Sequence, residues 1–342
     1  MIYTLNPMKD PRWTRFIAGH PQATVFHSVP WLTALHKTYG YDPIVVTTAP
    51  PNAAIEQGIV FCRVSSWVTG TRLVSLPFAD HCEPLVNDAN AGSEISEWLQ
   101  RERAKRHWKY VELRPLAGSP YLGDGLRPGD SYCFHELDLS PGLDELHHAL
   151  HKDSIQRKIR RAEREGLSYE SGSTPRLLEE FYHLLLITRR RLHALPQPRG
   201  WFRNLSAALG ADFEIRVARK NGSALASILS LRHRSSVVYK YGASDHALHN
   251  LGGMPFLFWK LIGESKAAGA ERIDFGRSDL DNPGLITFKN RFGTSKKSLT
   301  YLRATSAPEE TAWNVRALRP YFYLLPDALC STAGRVLYRH MG

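Results

Sequence analysis

The stretch that begins at Asp274 and ends at Gly293 holds three carboxylates and three cations around glycine-rich turns. Asp274 and Arg277 flank Gly276 at the predicted end of a buried strand, and Lys289 and Arg291 follow on a predicted helix. A cation at such a strand end can stabilise the oxyanion of an acyl-transfer intermediate or bind a phosphate. An ion pair that only fastens the helix to the sheet is the alternative. We take Asp274 and Lys289 as candidate catalytic residues, and Arg277 and Arg291 as candidate substrate contacts.

A glycine pair, Gly252 and Gly253, precedes Pro255 where a predicted strand gives way to a helix. Glycine lets a backbone approach a ligand closely, and the N–H groups at a helix N-terminus attract phosphate. Tyr241 ends the preceding strand, where the carbonyl of an acyl donor would lie. An ordinary turn that starts a helix has the same composition, so both interpretations stay open. Gly252, Gly253 and Tyr241 are candidate donor-binding residues.

A basic helix is predicted between Lys152 and Gly166. Isoleucine and alanine at helical spacing form its apolar stripe. Five cations cover the rest of its surface: Arg157, Lys158, Arg160, Arg161 and Arg164. Such a surface suits phosphates, and Arg157 is the candidate contact. The alternative is a solvated helix face that Glu163 and Glu165 partly balance.

Asp80, His81 and Glu83 lie together in a predicted loop after a strand. Any of them could deprotonate an attacking amine. We take Asp80 as a third candidate catalytic residue and His81 as a candidate substrate contact. His81 beside Cys82 does not indicate a thiol protease, because neighbouring side chains on an extended chain point apart. The other histidines are expected at ordinary surface positions.

The second half of the chain shows the clearest order of elements. Asn221 and Gly222 predict a tight hairpin, Pro255 suits the first turn of a helix and Gly269 its C-terminal cap. Strands are predicted at 213–219, 224–232, 237–241, 272–276 and 299–303, and helices at 256–268 and 283–292. The order of meander, glycine loop, helix, strand, helix and strand resembles that of a GNAT-type acyltransferase half.

The first half repeats this theme. A helix at 94–106 and a strand at 108–114 follow a central strand at 72–78. Glu112 then stands where the second half has Asp274. This pattern predicts an internal duplication at about half the chain length.

A chain of 342 residues is long enough for two domains of about 150 residues each. We predict a first domain at 1–145 and a second at 146–305, which is the main candidate for the active site. A helical tail is predicted at 306–342. The glycine- and proline-rich segment 118–130 is predicted as a loop near the end of the first domain.

The composition is that of a globular protein with a basic surface: 43% hydrophobic residues, 23% charged residues and a formal net charge of +11. Such a balance favours an anionic partner, either phosphate-bearing or an acidic membrane surface. The cysteines are widely spaced without a C-x-x-C pair, which fits neither a zinc site nor a disulfide framework. The N-terminus is not an apolar leader and no run of 18 apolar residues occurs. We therefore expect a cytoplasmic protein without a transmembrane segment.

Several motifs follow one another in a characteristic order: Phe26–Leu32, Tyr39–Pro43, Leu76–Asp80, Arg157–Glu163, Tyr241–Ser244, Asp274–Arg277 and Gly284–Gly293. By their order and spacing the sequence resembles the Fem-type transferases and their GNAT-like relatives, the FemAB-like or BioF2-like acetyltransferases of the Acetyltransf_6 type. The resemblance covers most of the chain. It implies an α/β (α+β) fold of tandem GNAT-like N-acyltransferase domains, with mixed, largely antiparallel sheets flanked by helices.

The resemblance also bears on individual residues. Lys289, with Phe288 before it and Phe292 after it, matches the family's basic position near the reacting centre, so Phe288 is a further candidate contact. The loop that holds the coenzyme A pyrophosphate in GNAT enzymes has His249 here instead of Arg or Gln, which argues against strong coenzyme A binding. The coiled-coil insertion of some Fem enzymes has no room between residues 176 and 203, which argues against a tRNA donor.

The implied function is transfer of an acyl or aminoacyl group to an amine of a cell-envelope (peptidoglycan) or exopolysaccharide precursor. The donor would be acyl-CoA or aminoacyl-tRNA, with no tightly bound cofactor and no metal. Proximity supplies most of the catalysis in such direct transfers, so a dedicated base is not required. Expected partners are a phosphate-bearing donor or acceptor, tRNA, and a peripheral membrane surface. The alternatives are an acetyl-CoA-dependent N-acetyltransferase acting on a small or sugar amine, and a non-catalytic protein that binds RNA or a membrane surface.

Overall fold

The computed structural model describes residues 1–67, 69–116, 121–122, 125–305 and 337–340. These residues form two compact units. The first unit contains the described residues of 1–132 together with 299–305 and 337–340, and the second contains 133–298. Most of the predicted tail at 306–342 lies outside the described residues, apart from the helical residues 337–340.

The first unit is a sheet with helices in its connections. Its elements are β1 (Tyr3–Leu5), α1 (Pro11–Gly19), α2 (Val29–Tyr39), β2 (Asp42–Thr47), β3 (Gly58–Val64), β4 (Arg72–Ser75), α3 (Ala89–Lys105), β5 (Tyr110–Leu113) and the start of β6 (Arg127–Asp138). The last strand of the chain, β12 (Ser295–Thr305), completes the order β1-β2-β3-β4-β5-β12. The β4–β5 pair is parallel, and the other pairs are antiparallel.

The second unit contains the rest of β6 and the elements that follow it. These are α4 (Leu143–Ala149), a π-helical turn (Lys152–Gln156), α5 (Arg157–Arg164), β7 (Ser168–Gly172), α6 (Pro175–Arg191), α7 (Arg199–Leu209), β8 (Phe213–Lys220), β9 (Ser223–His233), β10 (Ser236–Ser244), α8 (Gly253–Ala267), β11 (Arg272–Asp279) and α9 (Pro283–Asn290). Its strand order is β6-β11-β10-β9-β8-β7. The predicted mixed sheets flanked by helices are confirmed.

The β8–β9–β10 meander forms as predicted. Asn221 and Gly222 both adopt positive φ angles, 51° and 81°, which is the conformation that a two-residue hairpin with this sequence requires. The strands on either side pair antiparallel from Lys220–Ser223 outward. Helix α8 then packs its buried Leu257, Leu261 and Ile262 into a core shared with the apolar stripe of α5.

Strands β10 and β11 form a parallel pair in the second unit. Their pairing register ends at Val238 and Asp274, although the strands continue to residues 244 and 279. A bulge between Tyr239 and Tyr241 interrupts β10, and Gly276 in β11 has a φ of 71°. Bulges and left-handed glycines bend a strand and end its regular pairing. The two strands are therefore paired at one end and irregular at the other.

Several predicted boundaries differ from the structure, among them the start of the helix predicted at 94–106, which begins at Ala89. Strand β4 ends at Ser75 and not at 78, because Pro77 has no N–H for a sheet. Strand β11 continues past Asp274 because the kink at Gly276 bends it without ending it. Strand β6 starts at residue 127, inside the predicted loop 118–130.

The basic segment also differs from its prediction, because it is not one continuous α-helix. The carbonyl of His151 accepts hydrogen bonds from the N–H groups of both Ile155 and Gln156, at 3.0 and 3.2 Å. This wider spacing makes the π-helical turn that precedes α5. The predicted apolar stripe is confirmed, since Ile155, Ile159 and Ala162 are all buried.

Candidate active site

Two candidate catalytic residues hold Gly276 by its backbone. The Gly276 N–H donates to Asp274 Oδ1 at 2.6 Å, and the Gly276 carbonyl accepts a hydrogen bond from Lys289 Nζ at 3.0 Å. Lys289 also donates to the carbonyl of Arg277 at 2.9 Å. Only 4% of Asp274 and 3% of Lys289 is exposed. The structure therefore brings Asp274, Lys289 and the backbone of Arg277 together at the kink in β11.

Helix α9 positions Lys289 at this kink. The side chain of Asn282 caps the N-terminus of the helix by accepting from a backbone N–H at 3.1 Å. Within α9, Lys289 is the residue that is buried. Phe288 is half-buried and packs its ring against Phe258 and Phe292. This candidate contact thus belongs to the aromatic edge of the core.

A buried histidine that the sequence predictions did not single out lies beside the same helix. His135 on β6 is fully buried, and its Nε2 lies 2.9 Å from Oδ1 of Asn290 in α9. Burial lowers the pKa of His135; the hydrogen bond to Asn290 opposes this shift, and the charges of Lys289 and Lys296 add to it. The expectation of a surface position is wrong for this histidine. The start of β6 in a predicted loop hid the strand alternation that could have identified it.

Tyr241 lies just after the bulge in β10. Its hydroxyl accepts a hydrogen bond from Trp201 Nε1 at 2.9 Å. The rings of Phe181 and Phe202 meet it edge-on, with centroids 6.4 and 5.2 Å away. Tyr241 is therefore anchored among aromatic residues of α6 and α7, where it fixes the strand next to the bulge.

The glycine pair before α8 is packed tightly against protein. A Cβ at Gly252 would lie 2.2 Å from the carbonyl oxygen of Lys158, and one at Gly253 would lie 2.2 Å from Leu225 Cδ1. Real Cβ atoms do not come so close to other atoms. The close backbone approach that these glycines permit is thus to α5 and β9 of the chain itself.

The remaining candidate cations of the second unit lie at or near its surface. Arg157 on α5 and Arg291 at the end of α9 are exposed, and Arg277 is half-buried. Arg161 lies 3.8 Å from Glu165. Its neighbours on α5 form no ion pair with the residues that the structure describes: Arg157, Lys158, Arg160 and Arg164. This outer face of α5 is therefore an unneutralised basic surface.

In the first unit, the loop with Asp80 and His81 is fastened by its own chain. Arg114 Nη1 donates to two carbonyls of this loop, at 2.5 and 3.0 Å. The backbone carbonyl of Asp80 accepts from the Tyr301 hydroxyl at 2.7 Å. His81 is buried and meets the ring of Phe26 edge-on. Both candidates therefore lie in a rigidly held loop.

Glu112 lies in the parallel pair of the first unit, in the middle of its three-residue register, whereas Asp274 is the last residue of the β10–β11 register. Glu112 pairs with Val74 in β4, and Asp274 pairs with Val238 in β10. Glu112 contacts Arg114 at 2.8 Å and Arg303 at 2.7 Å. Burial alone would raise the pKa of Glu112, but the charges of the two arginines outweigh it and hold that pKa below its ordinary value.

No group of three or more His, Cys, Asp or Glu side chains in the described part of the chain is placed to hold a metal ion. Among the same residues, no helix combines the length and the apolar character that crossing a membrane requires.

Comparison with known proteins gives both a family match and similar folds. Residues 150–289 match the family model described as an acetyltransferase (GNAT) domain. No curated protein sequence matches the chain significantly. The crystal structure of FemX is similar, with a TM-score of 0.70 at 13% identity, over 89% of this chain and 97% of that one.

Two further solved structures share the fold. One is the C-terminal domain of a putative lysylphosphatidylglycerol synthetase from Agrobacterium fabrum, with a TM-score of 0.54 and 14% identity over 94% of this chain and 95% of that one. The other is a tandem GNAT protein from the clavulanic acid biosynthesis pathway, with a TM-score of 0.54 and 12% identity over 91% and 99%. Residues 150–289 therefore resemble the acetyltransferase (GNAT) domain family, and the chain has a tandem GNAT-like fold.

Proposed function

We propose that this acyltransferase moves an acyl or aminoacyl group to an amine of a cell-envelope or exopolysaccharide precursor, and that the reaction takes place in the second unit. The observation that carries the proposal is the end of the β10–β11 pairing at Val238 and Asp274, with Lys289 held at the kink just beyond it. An extended donor next to the irregular ends of the strands could use their backbone N–H and carbonyl groups, as peptides do at sheet edges.

The chemistry needs no external reagent. The amine attacks the acyl carbonyl carbon with its lone pair, and the carbonyl oxygen takes the negative charge of the tetrahedral intermediate. The intermediate then expels the thiolate of coenzyme A or the ribose oxygen of tRNA, and the proton lost by the amine passes to that leaving group. An amide forms while a thioester or an ester breaks. Positioning of the two reactants supplies most of the rate acceleration.

Lys289 and Asp274 contribute to this reaction through the backbone that they hold. Together they fix the conformation of Gly276, so the end of β11 presents its backbone groups in one arrangement. The positive charge of Lys289 also favours an anionic intermediate nearby, since electrostatic effects are strong in a buried environment. Arg277, one residue beyond the kink, would contact the donor or the acceptor.

The first unit is a poorer candidate for the reaction. The acid of its β4–β5 pair, Glu112, is neutralised by Arg114 and Arg303. Arg114 also draws the 76–84 loop onto the end of the parallel pair through two carbonyls. These contacts support a stabilising role for Glu112 and a supporting role for Asp80 and His81.

Two donors remain in competition. The name of the lysylphosphatidylglycerol synthetase relative and the likeness to FemX support an aminoacyl donor and an envelope acceptor. The likeness to the tandem GNAT protein, whose structure is described as being without AcCoA, supports acyl-CoA. The tight packing of Gly252 against Lys158 is compatible with either donor.

The first test is thermal unfolding with coenzyme A, acetyl-CoA, bulk tRNA or UDP-linked sugar precursors. A ligand that binds only the folded state raises the Tm by mass action. A rise with coenzyme A would assign acyl-CoA as donor, and a rise with tRNA or the UDP precursor alone would favour aminoacyl transfer. Transfer of radiolabel from the stabilising donor to an amine acceptor must follow, and its absence with every donor would contradict the proposal.

A second function is favoured by one observation, the basic outer face of α5. A protein that only binds RNA or a membrane surface would need this face and not Lys289. Substitution of Arg157, Arg160 and Arg164 by Gln would then abolish binding, while Lys289→Met would leave it intact. If the protein is an acyltransferase, Lys289→Met should reduce group transfer more than the three arginine substitutions do.

A further inference from the structure

His135 is a buried titratable group that none of the contacts around Gly276 includes. Its ring is fully enclosed, and its Nε2 bonds Oδ1 of Asn290 at 2.9 Å. Because an amide oxygen only accepts hydrogen bonds, Nε2 carries the proton, and in the neutral ring Nδ1 is then the acceptor. Asn290 directly follows Lys289 and is the last residue of α9.

We propose that His135 is a positioning residue for Lys289: by holding Asn290, it fixes the C-terminal end of α9 so that the Lys289 ammonium stays on the carbonyls at the kink of β11. Helix α9 has only eight residues, and helices of this length are marginal without tertiary contacts. Its other fixed points are the Asn282 cap and the ring of Phe288. At its C-terminal end, Thr294 Oγ1 donates to the Lys289 carbonyl at 3.0 Å and the His151 N–H donates to the Arg291 carbonyl at 2.9 Å. The bond from His135 is the one that comes from β6 to the side chain next to the lysine.

Cys133 raises a different possibility, because Cys, His and Asn side chains together can form a nucleophilic triad. Its Sγ lies 3.9 Å from Nδ1 and 3.8 Å from Nε2 of His135. Nearly equal distances to both nitrogens show that the sulfur is in line with neither of them, whereas proton transfer needs a donor in line with one nitrogen. Cys133 therefore packs on the imidazole and does not serve as its partner in catalysis.

The catalytic meaning of this assignment rests on the proposed function, but the position of Lys289 can be measured without any substrate. The measurement is the rate at which acetic anhydride labels Lys289, determined by peptide mass spectrometry and normalised to exposed Lys37. His135→Leu and Asn290→Ala each remove the bond. His135→Gln retains an N–H donor near the position of Nε2, and Cys133→Ala removes only the packing on the ring.

We expect Lys289 labelling to rise about tenfold in His135→Leu and in Asn290→Ala, the factor that corresponds to loss of one hydrogen bond from the closed state. His135→Gln and Cys133→Ala should stay near the wild-type rate. Unchanged labelling in a folded His135→Leu variant would overturn the assignment, and so would an equal rise in His135→Gln. If His135→Leu does not fold, Asn290→Ala at the exposed end of the bond decides.

Kinetics then separate the two proposals. With a donor that the wild-type protein uses, His135→Leu should lower kcat while the KM for the donor changes little, and His135→Gln should restore kcat. If no donor is used at all, the proposed function fails while the labelling result still stands. If transfer occurs and the His135→Leu variant matches the wild-type kcat, the positioning role fails alone.

Discussion

Asp274 and Lys289 bind the two backbone polar groups of one residue, Gly276, the first through its N–H at 2.6 Å and the second through its carbonyl at 3.0 Å. A carboxylate and an ammonium thus hold a left-handed residue from opposite sides. Charge-assisted bonds of this kind are about twice as strong as neutral ones. The kink is therefore a fixed feature of β11.

Removal of the Lys289 ammonium should harm both stability and transfer. Lys289→Met leaves two buried carbonyls without their donor, which costs about 1–3 kcal/mol for each such group. We expect a lower midpoint of urea unfolding and loss of transfer. Lys297→Met is the matched control, because that exposed lysine pairs loosely with Glu136 at 3.6 Å. Equal midpoints for the two variants would contradict this account of Lys289.

A side chain at Gly276 should be costly for a different reason. The φ of 71° lies in the left-handed region, where an L-residue is less stable by about 1–2 kcal/mol. We expect Gly276→Ala to lower the Tm and to reduce transfer. Gly284→Ala in α9, where the Cβ meets only one atom at 3.8 Å, should be neutral or slightly stabilising. If Gly276→Ala leaves the Tm unchanged, the kink relaxes easily and this prediction is wrong.

The buried ion-pair cluster of the first unit should be sensitive to loss of its centre. Glu112→Ala leaves Arg114 and Arg303 without their shared carboxylate, and removing one partner of a buried pair costs about 3–5 kcal/mol. Asp130→Ala removes an exposed member that contacts Arg303 at 2.7 Å, and should cost less than about 1 kcal/mol. Urea unfolding of both variants measures the difference. A small loss of stability in Glu112→Ala would show that the two arginines find other partners.

Burial of His135 should make stability depend on pH. Because burial lowers its pKa in the folded state, the unfolded chain takes up a proton first as the pH falls below about 6.5. The free energy of unfolding therefore decreases through that range and levels off below the folded-state pKa. His135→Gln should show a smaller drop in Tm between about pH 8 and pH 5.5 than the wild type. The exposed His148→Gln is the control, and a drop unchanged in His135→Gln would contradict the prediction.

Much of the fold could be predicted because local signals and the global structure agree. Asn221–Gly222 predicted a hairpin and Pro283 predicted the start of a helix, and the structure has both at these positions. The predicted correspondence of Glu112 and Asp274 reappears only in part: both acids lie in a parallel strand pair, but at different positions of its register. Predicted boundaries differ from the structure where the conformation of a single residue determines where an element ends. Gly276 is an example, because the pattern of polar and apolar residues does not specify its φ.

The candidate site was predicted in part. Asp274 and Lys289 do meet, but hydrophobic periodicity cannot reveal that the buried residue of α9 is a lysine, because the pattern assigns apolar residues to buried faces. Contacts between distant segments were also invisible. The bond from His135 to Asn290 spans 155 positions, and a spacing rule relates only residues of one element.

Strand β12 has a consequence for how the chain can be synthesised and divided. It returns to the first unit to pair Leu302 with Leu113, and it brings Arg303 to Glu112. The chain must therefore be synthesised at least as far as β12 before the amino-terminal unit can complete its sheet. A fragment that stops at residue 145 would expose the edge of β5 and leave Glu112 with Arg114 alone, so we expect it to aggregate. The two units resemble each other in fold, but no single break in the chain separates them, because β12 belongs to the first unit and follows the second in sequence.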